Sequence, residues 1–413
     1  MNPFDLKPLP VDEGIVDWQT LYPKPYQKAT VDPYTKTRII LMNGTEFEAV
    51  WFSHQFQRHC ADQDLRRELA LLRRVEQQQQ KRVACLKPPD ETILEHTIGY
   101  EQLAVDLTAA LAMDEKDPIV KQALNFALLE DFDHLYRYAD LLEMELGIQA
   151  QNLVGGYTEI MPGRPTIAEH RFPFDDVRGY LGPSADITSK LNANIITAAE
   201  QQTMNYYMNV APLYGSEMGR RLYQEIAMIE EQHVTQYGSL LDPNATWLEN
   251  LLMREYMECY LYYSFLEDEK DRRIRDVWAA HFEMEVAHLH RAAELLRRYE
   301  RREWSEVIPG GAFPKLLRFH DTRDYVRRVL AEQVLLTADR ENYRGVQELP
   351  PSFDFFAYQG RVNKNVDRVA SHAVVVGHQR AFGEDYRAES KPTPVPALAD
   401  RAVDNTEIAR NPA

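Results

Sequence analysis

Cysteine is scarce: Cys60, Cys85 and Cys259 are the only three in 413 residues, and they lie far apart. No CxxC pair exists, which excludes a rubredoxin-like iron site and a zinc knuckle. The scarcity fits a reducing compartment, and a cytoplasmic location is expected. No apolar run reaches the roughly 18 residues that a bilayer span needs, so no membrane segment is expected. The opening MNPFDLKPLPVDEG lacks a basic stretch followed by an apolar one and does not read as a secretory signal. Basic residues are in deficit. Against 64 Asp and Glu stand 47 Lys and Arg, a net charge of −17, which argues against a nucleic-acid partner. Part of that acidity can face inward, on ligand positions.

What is present is mostly helical pattern. Residues 1–31 are rich in proline, aspartate and tyrosine and read as an irregular arm. Over 32–146, stretches such as EQLAVDLTAALAM and ALNFALLEDFDHLYRYADLLEMEL repeat apolar residues at intervals of three and four, as helices facing a core do. Residues 147–183 break the pattern with glycine and proline and read as a linker. Helical pattern resumes over 184–302. A helical extension is expected over 303–388, including Thr322–Tyr343, and the tail 389–413, with PTPVPALAD, is expected to be disordered. The expected fold class is all-α.

The chain also repeats itself. Shifting residues 32–143 forward by 154 lays them on 186–297. Asp114-Glu115-Lys116-Asp117 falls on Asp268-Glu269-Lys270-Asp271, His134-Leu135 on His288-Leu289, and Ala139-Asp140-Leu141-Leu142 on Ala293-Glu294-Leu295-Leu296. This is an internal duplication of roughly 150 residues. Each half carries a shorter repeat: a carboxylate, a second one thirty residues on, and a histidine three further. Glu101, Asp131 and His134 fit, as do Glu200, Glu230 and His233, and Glu255, Glu285 and His288. A fourth copy, Glu46 and Glu76, has Gln79 where histidine is expected. With 64 acids and 12 histidines in the chain, about 0.3 such triplets are expected by chance. Three occur, all in the register of the duplication.

The spacing suits metal chemistry. A carboxylate and a histidine at i and i+3 share a helix face. A carboxylate thirty residues earlier reaches the same level if the chain runs down one helix, turns, and returns. Each copy is then an αα-hairpin, and two packed hairpins offer four carboxylates and two imidazoles, a donor set for two first-row metal ions.

These residues resemble the ferritin-like di-iron carboxylate superfamily, which includes rubrerythrins, bacterioferritins and di-iron oxygenases. The resemblance implies duplicated ferritin-like four-helix bundles built from four αα-hairpins, with extra C-terminal helices. It assigns as metal ligands Glu46, Glu76, Glu101, Asp131, His134, Glu200, Glu230, His233, Glu255, Glu285 and His288. It implies a centre of two Fe ions, with Mn as an alternative. The implied activity is that of an oxidoreductase acting on O2 or H2O2 together with a small-molecule substrate or electron donor, or else a ferroxidase or iron-binding role without an organic substrate. Gln79 is a weak ligand, so its site is expected to be empty or weakly filled, and Arg73 on the same face could supply a charge in place of a metal. By the same resemblance Glu258 is an extra carboxylate of the rubrerythrin kind. Tyr207 and Tyr262, two turns along the ligand face, and Cys259, one turn along, are candidates for a redox or substrate-lining role beside a plain packing one. A cage of many subunits is not expected of a duplicated chain; a homodimer stays open.

Pairing of the hairpins has two solutions. Equivalent hairpins can meet, Glu101/Asp131/His134 with Glu255/Glu285/His288 and Glu46/Glu76/Gln79 with Glu200/Glu230/His233. The short turns at Pro88-Pro89 and Pro243-Asn244 favour this arrangement. The competing solution keeps each half as its own bundle.

Overall fold

The computed structural model describes residues 1–403, apart from the side chains of Thr166 and Ile167. The last ten positions of the expected disordered tail lie outside the described residues. Eight long helices dominate: α1 (Pro33–His59), α2 (Gln63–Ala84), α3 (Ile93–Asp114), α4 (Pro118–Leu146), α5 (Ile187–Val210), α6 (Glu217–Gly238), α7 (Trp247–Asp268) and α8 (Arg272–Glu300). Then come α9 (Arg323–Gln333), a hairpin of β1 (Leu336–Asp339) and β2 (Asn342–Gly345), α10 (Asp354–Val362) and α11 (Ala370–Phe382). Among the described residues no helix is long and apolar enough to cross a membrane.

The duplication reappears as matching helix starts. Thr92 and Thr246 head α3 and α7, each in a capping box with Glu95 or Glu249 three residues on. Asp117 and Asp271 cap α4 and α8 through two backbone N–H groups each. Just before them, Glu115 and Glu269 accept from the N–H groups of the turn. Each cap satisfies donors that the first helical turn leaves unpaired, a contribution of about 1 kcal/mol apiece. The turns that place the paired carboxylates at one level are therefore written twice.

The chain divides into two units. The first comprises Met1–Glu91, Leu181–Gln202 and Leu241–Arg318. In it α1 packs on α2, α7 on α8, and α1 on α7. The N-terminal arm is bound here: Phe4 stacks on Trp304 at 3.8 Å, and Tyr26 donates to Glu91 at 2.7 Å. The second comprises Thr92–Tyr180, Thr203–Leu240 and the chain from Phe319 onward. Its centre is α4, buried on every face from Ala123 to Leu142 and packed by α3, α6, α9 and α11. Each large apolar side chain so buried contributes about 1.5–3 kcal/mol. Helix α5 begins in the first unit and ends in the second.

Three stretches depart from the sequence reading. Residues 147–180, read as linker, are packed: Ile160 bridges to Ala388, and Arg164, Glu169, Arg171 and Asp176 are buried. Gly163 makes the close approach possible, since a Cβ there would fall 2.5 Å from the Leu129 carbonyl oxygen on α4. Within Thr322–Tyr343, read as helical, the helix stops at Gln333 and Leu336–Asp339 pairs with Asn342–Gly345. The polar Asp339–Asn342 turn, with Arg340 at φ 53°, reverses the chain there. Residues 389–403 of the expected disordered tail are anchored by Leu398 and by Arg401, both fully buried. Arg401 is held by Asp133 and the Arg164 carbonyl. Its charge needs partners inside the protein, which composition does not disclose.

Candidate metal centres

Each hairpin presents its repeat on facing helices. The lone carboxylates Glu46, Glu101, Glu200 and Glu255 lie on α1, α3, α5 and α7, and the paired positions on α2, α4, α6 and α8. All the sequence-assigned ligands are buried. Their grouping matches neither expected solution. The first hairpin meets the fourth in the first unit, and the second meets α6 of the third in the second unit. The reason is connection length. The links at Pro88-Pro89 and Pro243-Asn244 are too short for a chain to cross back to a partner hairpin, and each instead leads from one unit to the other. The long stretch between α4 and α5 has the length for that crossing.

In the first unit the ligand atoms of Glu76, Glu255 and His288 lie within 4.8 Å of one another, as do those of Glu46, Glu258 and Glu285. His288 turns Nδ1 inward, 3.3 Å from Glu285, 3.7 Å from Glu255 and 4.0 Å from Glu76. Gln79 does not leave a hole: its Nε2 donates to Glu285, and Glu258 supplies a sixth donor residue. Arg73 donates to Ser53 at 3.2 Å and to Gln57, and its charge is the weakest of those acting on Glu76. Among the described residues both buried Glu258 oxygens have no hydrogen-bond partner, and Glu46, Glu76 and Glu255 each hold one such oxygen. Burial, then Glu285 and neighbouring carboxylates, pushes Glu258 well above the usual carboxylate range. Burial likewise raises Glu46 and Glu255, and brings Glu76 to about 7. Five carboxylates and one imidazole, with more buried oxygens than hydrogen-bond donors, fit a pair of di- or trivalent cations.

Tyr262 donates to Glu46, and His281 Nδ1 lies 2.9 Å from the same hydroxyl. Cys259 is fully buried, and burial, then Glu285, holds its thiol well above the usual range. Its thiolate form is disfavoured there.

In the second unit Asp131, Glu230 and His233 converge within 4.8 Å, as do Glu101, His134 and Glu230. His134 Nδ1 is 3.0 Å from Glu230; His233 Nδ1 is 3.1 Å from Glu230 and 3.2 Å from Asp131. Their outer nitrogens face other carboxylates: His233 Nε2 lies 2.8 Å from Glu130, and His134 Nε2 lies 3.4 Å from Glu169. Those outer carboxylates are held by buried arginines. Arg171 donates to Glu130, Arg137 donates to Glu169, and Arg137 Nε lies 2.9 Å from Asp133. Against burial, Arg171, His233 and Arg164 bring Glu130 down to about 2, so it stays ionised. This arrangement, ring Nδ1 inward and Nε2 on a fixed carboxylate, orients an imidazole for a metal and raises its basicity. Against burial, Glu230 and Glu169 hold His134 well above its usual value. Tyr207 donates to Glu101, repeating the Tyr262–Glu46 contact. Glu200, the remaining assigned residue, is buried on α5.

Spacing missed Glu130, Glu169 and the arginines. One signal was present for Glu130: the other repeats carry Val75, Ile229 and Met284 at that column, so a charge there breaks an apolar pattern. Glu258 likewise stands where the other copies have Ala49, Ala104 and Thr203. Nothing in the spacing pointed to Glu169, which lies in the stretch read as linker.

Compared with protein-family models, with curated proteins and with solved structures, the chain matches none.

Proposed function

We propose that the chain is a duplicated ferritin-like protein with a di-metal carboxylate centre in each unit, iron or manganese/iron, and that it acts as an oxidoreductase on O2 or peroxide. The observation that carries this reading is the inward Nδ1 of His134, His233 and His288 among buried carboxylates, several of whose oxygens have no hydrogen-bond donor among the described residues. In the first unit Glu46, Glu76, Glu255, Glu258, Glu285 and His288 would hold two ions; in the second, Glu101, Asp131, His134, Glu230 and His233 would do so. Two redox-active ions supply paired one-electron changes and a Lewis-acid surface for O2 or peroxide. The protein's own part is to neutralise their charge with carboxylates, keep bulk water out by burial, and fix the imidazoles through Glu130 and Glu169. Tyr207 and Tyr262 place a phenolic proton on one carboxylate of each cluster.

The experiment is stopped-flow oxidation of Fe(II) added to metal-free protein. An oxidoreductase consumes O2 or peroxide once per filling of the centres and turns over again with reductant. Continued uptake of iron beyond that filling would support the ferroxidase alternative, and no oxidation faster than in buffer would end both.

A further inference from the structure

One face of α6 carries Arg221, Gln224, Glu225 and Met228, at steps of three, four and seven residues, and forms a wall of a cavity of about 420 Å3. Tyr358 and Val362 of α10 and the segment 363–369 line it too. A cavity of that size takes a small molecule rather than a bare ion. Its lining is of two kinds. Met228 and Val362 are 50% and 47% exposed, an apolar surface left open to whatever enters. Arg221, Lys364 and Arg368 supply positive charge, and among the described residues none of them is paired with a carboxylate. Arg221 donates to the Arg368 carbonyl and keeps further N–H groups to offer. The one acid in the lining, Glu225, is already engaged: it accepts from the Ala370 N–H at 2.8 Å and from the Ser371 hydroxyl at 2.6 Å. Against burial, His170, Ser371 and Arg137 bring it down to about 2, so it stays ionised. In a chain of net charge −17, unmatched cations beside one committed acid mark a place for an anion.

Ser371 stands at the start of α11, directly after the lining residues Val369 and Ala370. Its hydroxyl oxygen accepts from Arg137 on α4, Arg137 donates to Glu169, and Glu169 lies 3.4 Å from His134 Nε2. Ser371, Arg137, Glu169 and His134 are all fully buried. A row of buried polar contacts thus runs from the cavity wall to an imidazole of the second unit's cluster. We propose that this cavity is an effector site for a small organic acid, and that its occupancy is felt at the second unit's centre through Ser371 and Arg137. Arg221, Lys364 and Arg368 hold the carboxylate, and Met228, Val362 and Tyr358 hold the apolar body. The row of Ser371, Arg137 and Glu169 lies between the acid and the cluster, so the acid acts on the centre without touching it. An added negative charge at one end of such a row favours added positive charge at the other, and the effect is reciprocal. The acid site stands on the cavity alone; its coupling rests on the reading of the cluster as a metal centre.

The test is calorimetric titration of the full chain, metal-free and iron-loaded, with benzoate and with benzyl alcohol as its neutral counterpart. Benzoate is expected to bind once per chain, more weakly as salt is added, and the alcohol not to bind. The double variant Lys364→Gln/Arg368→Gln, at two exposed positions, should bind benzoate several-fold more weakly with an unchanged Tm. Wild type loaded with iron should bind benzoate several-fold more tightly than the metal-free chain. Ser371→Ala should keep benzoate binding and lose that difference. No benzoate binding to either form would overturn the site, as would binding matched by benzyl alcohol or unaltered in the double variant. Equal affinity of the two wild-type forms would overturn the coupling. Protein that takes up no iron would end the metal reading and the coupling with it, while titration of the metal-free chain still decides the acid site.

Discussion

His134 Nδ1 lies 3.0 Å from Glu230 Oε1, although 96 residues separate them in sequence. That contact joins the second hairpin to the third, across the boundary of the duplication. The first hairpin correspondingly joins the fourth, through His288 and Glu76. The hairpins thus group as first with fourth and second with third.

The pairing changes the expected metal count. With Gln79 alone in view, one site should be poor. With Glu258 beside Glu46 and Glu285, both units have donors for two ions. Protein purified from iron- and manganese-supplemented cells should hold about four ions per chain by elemental analysis, and Glu258→Gln should lower this by about one. An unchanged count in the variant would remove Glu258 from the ligand set.

Arg171 should be a structural keystone of the second unit. It donates to Glu130 and lies 2.8 Å from Asp176, with all three buried. Arg171→Ala removes the nearest cation of Asp176 and leaves Glu130 with Arg164, 3.6 Å away, and His233, and breaking a buried pair costs about 3–5 kcal/mol. Calorimetry should show a lower Tm, and the metal content should fall from the second unit first, because Glu130 no longer fixes His233. A Tm within the error of wild type would contradict this role.

Individual buried carboxylates of the metal-free protein are expected to have opposite pH dependences. Burial, with Glu285 and against His288, raises Glu76 from 4.5 to about 7. A carboxylate raised in this way contributes stability that is fully present below about 4.5 and is lost as pH rises through about 7, by about 3 kcal/mol for one such group. Glu130 runs the other way. With its value brought down to about 2, its contribution is present above about 4.5 and is lost as pH falls through 2. Thermal scans of metal-free protein should therefore show stability declining from about pH 5 to pH 8, and the loaded protein should lose that decline. A metal-free Tm that rises over the same range would contradict the picture.

The helices and the ligand columns were legible because both rest on period. Apolar spacing of three and four marks a buried helix face, and the 154-residue repeat picks Glu101 and Asp131 out of 64 acids and His134 out of 12 histidines. The pairing was not legible, because spacing sets which residues share a helix face but not which hairpin a link can reach. The stretch over 147–180 was misread for a related reason. Its buried arginines and glutamates satisfy one another through contacts distant in sequence, such as Arg137 with Glu169, and leave no periodic trace. The strand hairpin after α9 was hidden by a short run that fits either state.

The central claim is that cations occupy the two carboxylate clusters. Crystals of iron-loaded protein, measured at the iron absorption edge, test it most directly. The account predicts two anomalous peaks among Glu46, Glu76, Glu255, Glu258, Glu285 and His288, and two among Glu101, Asp131, His134, Glu230 and His233, each beside an inward Nδ1 where a histidine is present. Maps without peaks at either cluster, from crystals whose solution contained iron, would contradict it.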